Sequence, residues 1–288
     1  MQVRRACAQA GARTFGRPAV LAARHNACVQ NHDGMTPPNA GPTRLPPHAP
    51  LPQYYGDEDE HQRFLRSMFD GTAADYDRVE RMLAWGTGPW YRRQALRRAG
   101  LVAGMHVVDV GTGTGLVARE ALTLCGPRGS LIGVDPSPGM MAQANLPGAA
   151  MLQGRAEALP CGDATADFVS MGYALRHLSD VDCALSEFFR VLRPGGRMLM
   201  LEITKPQGRT AQLALKGYMR AVVPVAARLV TRHADTATLW RYYWDTIEAC
   251  ISSGQVLDAM RRAGFTEVDH HVELGIFYEY TARKPGLA

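Results

Sequence analysis

An α/β fold on a doubly wound, mostly parallel sheet is predicted by three features of the sequence. The first is a strand-like run over residues 107–110 that breaks into Gly111-Thr-Gly113-Thr-Gly115 and then reads as a helix over 114–124. A short, wholly apolar run of this kind suits a strand covered on both faces of a parallel sheet. The second is the alternation of strand and helix patterns from residue 100 onward, the signature of parallel crossover units. The third is a pair of strand-like runs, 265–274 and 276–282, that meet at Gly275 and read as a hairpin. Together they predict seven strands, mostly parallel, with a C-terminal antiparallel hairpin and helices on both faces.

The elements follow in order. Residues 36–52 hold seven prolines and predict a disordered or extended lead-in, so the fold is expected to occupy 57–288, with 1–56 outside it. Residues 58–99 read as helices broken near Gly86-Thr-Gly88-Pro89, because Phe64, Leu65, Met68 and Phe69 recur at helical spacing, as do Val79, Met82 and Leu83. Trp85 and Trp90 flank that break and are expected mainly to pack in the core. Strands are then predicted at 107–110, 131–135, 151–153, 167–171 and 197–203. Helices are expected after the second strand, over 181–192, through about 249 as a substrate-side insertion (204–250), and over 254–262.

In an open parallel sheet a ligand lies beyond the carboxyl ends of the strands. That edge collects Asp109, the glycine loop, Asp135, the segment 154–160 and the segment 172–177. A dinucleotide loop wants a glycine three residues after Gly113, and that position is Leu116. An acid at the strand end repels a pyrophosphate and suits a cationic ligand. S-adenosylmethionine, with its ammonium and sulfonium, is such a ligand. Glycines give it a tight turn and close backbone approach at a helix start. Asp135, 26 residues after Asp109, is placed to accept from ribose hydroxyls, or else to cap a helix. Met140 is a candidate for the adenine face, or core filler.

Composition narrows the classes. The apolar fraction is 46%, and no apolar run approaches the ~20 residues that span a bilayer. Six cysteines show no metal-ligand spacing and read as reduced thiols, so no metal is expected. The net charge of +5 includes Arg4, Arg5, Arg13, Arg17 and Arg24, all ahead of the first acid, Asp33. No basic stripe interleaves with aromatics, which argues against nucleic acid. Residues 1–34 read either as an upstream extension of a chain starting at Met35 or as a mitochondrial transit peptide. The expected location is the cytoplasm, or the mitochondrial matrix on the second reading.

The motifs V-V-D-V-G-T-G-T-G (107–115), I-G-V-D-P-S-P-G-M-M (132–141), R-A-E-A-L-P (155–160) and R-V-L-R-P-G-G-R (190–197) resemble the class I SAM-dependent methyltransferases, of Rossmann-like fold. Four further pieces, at 69–77, 173–180, 201–206 and 242–247, look most like the ubiquinone/menaquinone biosynthesis C-methyltransferases. The resemblance covers about residues 60–284. It implies that Asp109, Gly111, Thr112, Gly113 and Gly115 hold the methionine tail and Asp135 with Pro136 the ribose. It places Ala156 and Glu157 along the adenine, Tyr76 over the cofactor and Arg176 among the catalytic residues. A ring face near a sulfonium gains cation–π attraction. The chain departs from the family pattern in three places: Arg155 where the class usually has Asp or Asn, His177 where the quinone enzymes favour Asn, and no proline over 248–253.

These residues predict methyl transfer to a small aromatic, quinol-like or polyketide-like acceptor, on carbon if the closer resemblance holds. O- or N-methylation, non-catalytic SAM binding and a nicotinamide oxidoreductase are the alternatives. Ring carbon attacks best from a phenolate, whose parent phenol, like tyrosine, titrates near pH 10. Arg176 is read as a cation stabilising that phenolate, because guanidinium is no base. His177 is read as base or relay, or as a structural cap. Tyr218, Trp240, Tyr242, Tyr243 and Trp244 are expected around a flat apolar acceptor. Peripheral membrane association, if the acceptor is prenylated, and a homodimer complete the expectations.

Overall fold

The computed structural model describes residues 44–83, 86–223, 225 and 235–286. Seven strands form one sheet in the order β3-β2-β1-β4-β5-β7-β6. They are β1 His106–Val110, β2 Ser130–Asp135, β3 Ala150–Gln153, β4 Ala166–Gly172, β5 Leu192–Ile203, β6 Thr266–Glu273 and β7 Phe277–Arg283. Strands β1 to β5 pair in parallel, and β7 runs antiparallel to both β5 and β6. The hairpin at Gly275 therefore inserts one reversed strand, as its turn and flanking runs predicted. The Arg193-Pro-Gly-Gly196 turn lies inside β5, where Ala166 faces Leu192 and Phe168 faces Arg197, so the extra residues loop out as a bulge.

The helices are α1 Glu58–Leu83, α2 Gly88–Arg98, α3 Leu116–Cys125, α4 Pro138–Gln143, α5 Val181–Val191, α6 Arg209–Gly217, α7 Asp235–Ala249 and α8 Ser253–Arg262. A π-turn, Tyr218–Val222, continues α6. Each sheet face carries its own core. Helices α2 and α3 close one face around Leu96, Ala118, Phe168 and Leu199. Helices α5 and α8 close the other around Val169, Leu185, Phe188 and Met260. Caps fix the helix starts: Asp180 accepts from the Asp182 and Cys183 N–H groups, and Ser252 with Gln255 forms a capping box.

Trp90 is 64% exposed rather than packed in the core, and Trp85 lies outside the described residues. The proline-rich lead-in is extended over 44–50, and it is docked. The Leu45 carbonyl accepts from the Val181 N–H at 2.9 Å, and the Pro47 carbonyl from the Ile251 N–H at 2.8 Å. His48 and Tyr55 are buried, so the packed unit begins upstream of residue 57. No helix among the described residues is long and apolar enough to cross a membrane. Both readings of residues 1–34 fall outside the described residues.

Candidate active site

The sheet order reverses between β1 and β4, and the crevice beyond their carboxyl ends is where open α/β sheets take ligands. A cleft of about 930 Å³, counting its open mouth, lies there. Its floor is Asp109, Gly111, Thr112, Gly113, Thr114, Asp135, Pro136, Ser137 and Met140. Helix α1 overhangs it with Gln62, Leu65, Arg66, Phe69 and Tyr76, and Tyr173, His177 and Tyr243 complete the far wall.

The floor is acidic. Asp109 is 1% exposed; its Oδ1 accepts from Ser170 Oγ at 2.6 Å and its Oδ2 from Thr112 Oγ1 at 2.7 Å. Asp135 accepts the Gly113 and Ser137 N–H groups, each at 2.8 Å. Burial pushes both carboxyls up to about 6, against the hydrogen bonds that favour the charged form. Two desolvated carboxylates side by side are relieved by a positive ligand. The loop also leaves space for one: Gly113 has φ +54° and nothing within 4 Å of an added Cβ. At Gly111, φ +63°, an added Cβ would meet Ala174 Cβ at 2.7 Å. Gly115 does not line the cleft. It caps α3 at φ 85°, and a Cβ there would strike Leu146.

A cleft of buried carboxylates with an open glycine loop fits S-adenosylmethionine, a cationic ligand. Donor affinity is then expected to be level above about pH 7. Below pH 6 it should weaken by up to about tenfold per pH unit for each carboxyl that must ionise on binding. Titrating S-adenosylhomocysteine across that range reads the effect. An affinity unchanged at pH 5 would mean that the carboxylates do not hold the ligand.

The far wall is aromatic. Tyr76 and Tyr243 join hydroxyl to hydroxyl at 2.8 Å, and burial raises both phenols, so they stay neutral. His177, on the 3-10 turn Leu175–His177, touches Phe69, Tyr242 and Tyr243, with ring centroids 5.2, 5.8 and 5.7 Å away. Neither of its ring nitrogens has a hydrogen-bond partner, and both are buried. Burial, then the Arg176 cation, holds its pKa well below the usual imidazole range, so it is neutral at pH 7.

Arg176 does not reach the cleft. It is 2% exposed, and its Nε donates to Glu202 at 2.9 Å while Nη1 donates to the Tyr243 carbonyl and Thr246 Oγ1. Its guanidinium lies 5.2 Å from the Tyr243 ring centroid. The phenolate-binding cation expected here thus stands behind the aromatic wall, where the buried Glu202 requires a counter-charge. Ala156 packs into the sheet core, and Glu157 accepts the Ser179 N–H at 2.6 Å. Arg155 reaches Ser179 Oγ at 2.6 Å. None of the three lines the cleft. Of the expected acceptor wall, only Tyr243 lines it. Trp240 packs edge-on against Tyr243 at 5.1 Å, Trp244 faces a second recess, Tyr242 is fully buried and Tyr218 is 37% exposed.

Two carboxylates of the 69–77 segment fasten α1 over the cleft: Asp77, paired in the sequence with Tyr76, and Asp70, which the sequence did not single out. Asp70 Oδ1 accepts from Ser137 Oγ at 2.5 Å and the Gly139 N–H at 2.9 Å. Asp77 accepts from Thr114 Oγ1. The signal available was a carboxylate pair seven residues apart on one helix face, set against a glycine loop and the start of α4.

Comparison with known proteins agrees with this fold. The model of the ubiE/COQ5 methyltransferase family matches residues 57–284. The ubiquinone/menaquinone biosynthesis C-methyltransferase UbiE of Syntrophotalea carbinolica is 34% identical over 211 residues, 71% of this chain and 87% of that protein. The demethylmenaquinone methyltransferase of Symbiobacterium thermophilum is 30% identical over 224 residues, 74% of this chain and 89% of that protein. The fold is shared with a SAM-dependent methyltransferase of Thermotoga maritima (TM-score 0.54, 22% identity, covering 76% of this chain and 99% of that one). A Methanococcus maripaludis protein assigned as a SAM-dependent methyltransferase shares it too (TM-score 0.56, 18% identity, 77% and 95%). The cofactor is S-adenosylmethionine, and the chain belongs to the ubiE/COQ5 methyltransferase family.

Proposed function

We propose that this protein methylates a ring carbon of a quinol-like phenol, with His177 as the proton acceptor. The observation that carries the reading is the imidazole with two unpartnered buried nitrogens in the cleft wall. Unsatisfied buried polar atoms are rare in native structures, and a site that binds a hydroxyl supplies their partner. S-adenosylmethionine, when bound, supplies a methyl group on a sulfonium. Asp109, Thr112 and the glycine loop would hold its amino-acid tail, Asp135 its ribose, and the Tyr76 face would lie toward the cation. In-line transfer then needs alignment at about 3–3.5 Å and exclusion of water. The lid helix α1, held by Asp70 and Asp77, supports both.

His177 accepts the phenolic proton, which makes the adjacent ring carbon nucleophilic. After transfer the methylated carbon loses its hydrogen and the hydroxyl regains a proton, so one proton is released overall. Phe69, Tyr76 and Tyr243 offer flat apolar faces to the ring. Arg176 acts as a positioning residue beneath Tyr243. Cys125, Cys161 and Cys250 are free thiols, which suits a reducing compartment.

Carbon NMR of the product made from a demethylated quinol and methyl-labelled donor tests the assignment. A new methyl on ring carbon is the expected result. A methyl on oxygen or nitrogen would replace it with heteroatom methylation.

A further inference from the structure

Residues 44–55 form a strap behind the aromatic wall, ahead of the span that the family matches. The strap holds the turn that carries His177. Within this 3-10 turn the His177 N–H donates to the Ala174 carbonyl at 3.0 Å and the Leu178 N–H to the Leu175 carbonyl at 3.3 Å. The next carbonyl, that of Arg176, goes to the strap: His48 Nε2 lies 3.1 Å from it, and His48 Nδ1 lies 2.7 Å from the Ala49 carbonyl. Carbonyl oxygens only accept, so the ring donates, to both as imidazolium and to one as a neutral tautomer. Just past the turn, the Val181 N–H that opens α5 donates to the Leu45 carbonyl at 2.9 Å.

The strap also holds a ring that lies against His177. Tyr242 is stacked on the His177 imidazole, 21° from parallel. Tyr54 meets Tyr242 edge-on at 5.1 Å and donates its hydroxyl to Asp245 Oδ2 at 2.8 Å. Tyr55 stacks at 4.2 Å on His61, whose Nε2 lies 3.3 Å from the Tyr242 hydroxyl. None of His48, Tyr54, Tyr55, His61 and Tyr242 lines the cleft, so each acts only through what it touches. His177 has no side-chain hydrogen bond to hold it, since both its nitrogens are unpartnered. Its aim is therefore set by its backbone turn and by the rings packed on it. The strap grips the first through His48 and one of the second through Tyr54.

We infer that His48 is a positioning residue for the reaction: through the Arg176 carbonyl it fixes where the His177 imidazole stands in the cleft wall, and Tyr54 steadies that placement through Tyr242. For its effect on turnover the inference rests on the proposed role of His177 as proton acceptor. Its effect on the placement of the ring does not depend on that role.

The test combines imidazole NMR with kinetics on the full chain carrying His48→Phe or His48→Gln. Phenylalanine keeps a ring beside His61 but offers the Arg176 carbonyl no N–H; glutamine offers one again. In His48→Phe the His177 ring resonances, identified by their loss in His177→Ala, should shift. Turnover should fall by about ten- to a hundredfold, because a misplacement of about 1 Å costs on that order. KM for the donor and affinity for S-adenosylhomocysteine should stay at wild-type values, which also shows that the variant folds. His48→Gln should recover most of the turnover. In a His177→Ala background His48→Phe should cost nothing further, because its effect runs through that ring. Tyr54→Leu loosens the second hold alone and should move the same resonances, so the strap is tested even where His48→Phe is unstable. Unmoved His177 resonances, or an undiminished loss of turnover from His48→Phe in the His177→Ala background, would each overturn the inference. So would wild-type turnover of His48→Phe where His177→Ala is slow. If His177→Ala itself turns over like wild type, the proton-acceptor assignment fails, and the resonances alone decide the positioning.

Discussion

Replacing His177 with alanine is expected to lower turnover by about 10²–10⁴-fold, the usual worth of a positioned general base, with affinity for S-adenosylhomocysteine unchanged. The separation follows from where the ring sits. It faces the cleft from the aromatic wall, while the donor floor is built from β1, β2 and the loop between β1 and α3. Neither imidazole nitrogen is bonded to protein, so its removal orphans no other polar group. The pH profile carries independent information. With its pKa held well below the usual range, His177 is neutral through pH 6 to 8 and gains a proton only in more acidic solution. Turnover measured under saturating donor should stay level across that window and fall on the acid side. His177→Asn, the residue the quinone enzymes favour, keeps a polar contact to the hydroxyl but cannot take its proton. It should retain part of the activity and lose that acid limb. Loss of donor binding in His177→Ala, or turnover equal to wild type, would remove His177 from the mechanism.

Arg176→Ala is expected to destabilise the protein by about 3–5 kcal/mol, the cost of breaking a buried ion pair by removing one partner. Glu202 is 0% exposed, and its Oε1 takes the Arg176 Nε at 2.9 Å and its own neighbour's N–H, from Ile203, at 2.8 Å. Without Arg176 that carboxylate has no counter-charge among the described residues. The change also removes two hydrogen bonds to α7, at the Tyr243 carbonyl and Thr246 Oγ1. At 2–4 °C per kcal/mol for chains of this size, melting should fall by roughly 10 °C. A paired Arg176→Met/Glu202→Gln variant leaves no orphaned charge and should be less destabilised than the single alanine. Denaturant unfolding of both checks it. If Arg176→Ala unfolds like wild type yet loses turnover, the arginine touches the acceptor directly, as the family resemblance implied.

The fold was legible where a local pattern dictates a single structure. Residues 107–110 can only be a covered strand, the three glycines only a tight loop, and Gly275 only the turn of a hairpin. The acidic floor of the cleft followed, because Asp109 and Asp135 lie at the carboxyl ends of consecutive strands that the fold brings to one edge. The far wall was harder, since it depends on which way side chains point. Arg176 and His177 are neighbours on a 3-10 turn, yet one enters the core toward Glu202 and the other the cleft. No spacing announces Glu202 as the partner. On α7 the aromatic cluster looked like one surface, but helical geometry sends Tyr243 into the cleft, Trp240 behind it and Trp244 to a second recess. Asp70 was not singled out, because its partners, Ser137 and Gly139, arrive only through the tertiary fold.

Isothermal calorimetry with S-adenosylhomocysteine and with NADH, in parallel at pH 7.5, asks most directly whether two buried carboxylates and a glycine loop form a pocket for a cationic donor. Saturable heat with the first ligand and none with the second is the predicted result. Heat with NADH alone would contradict it.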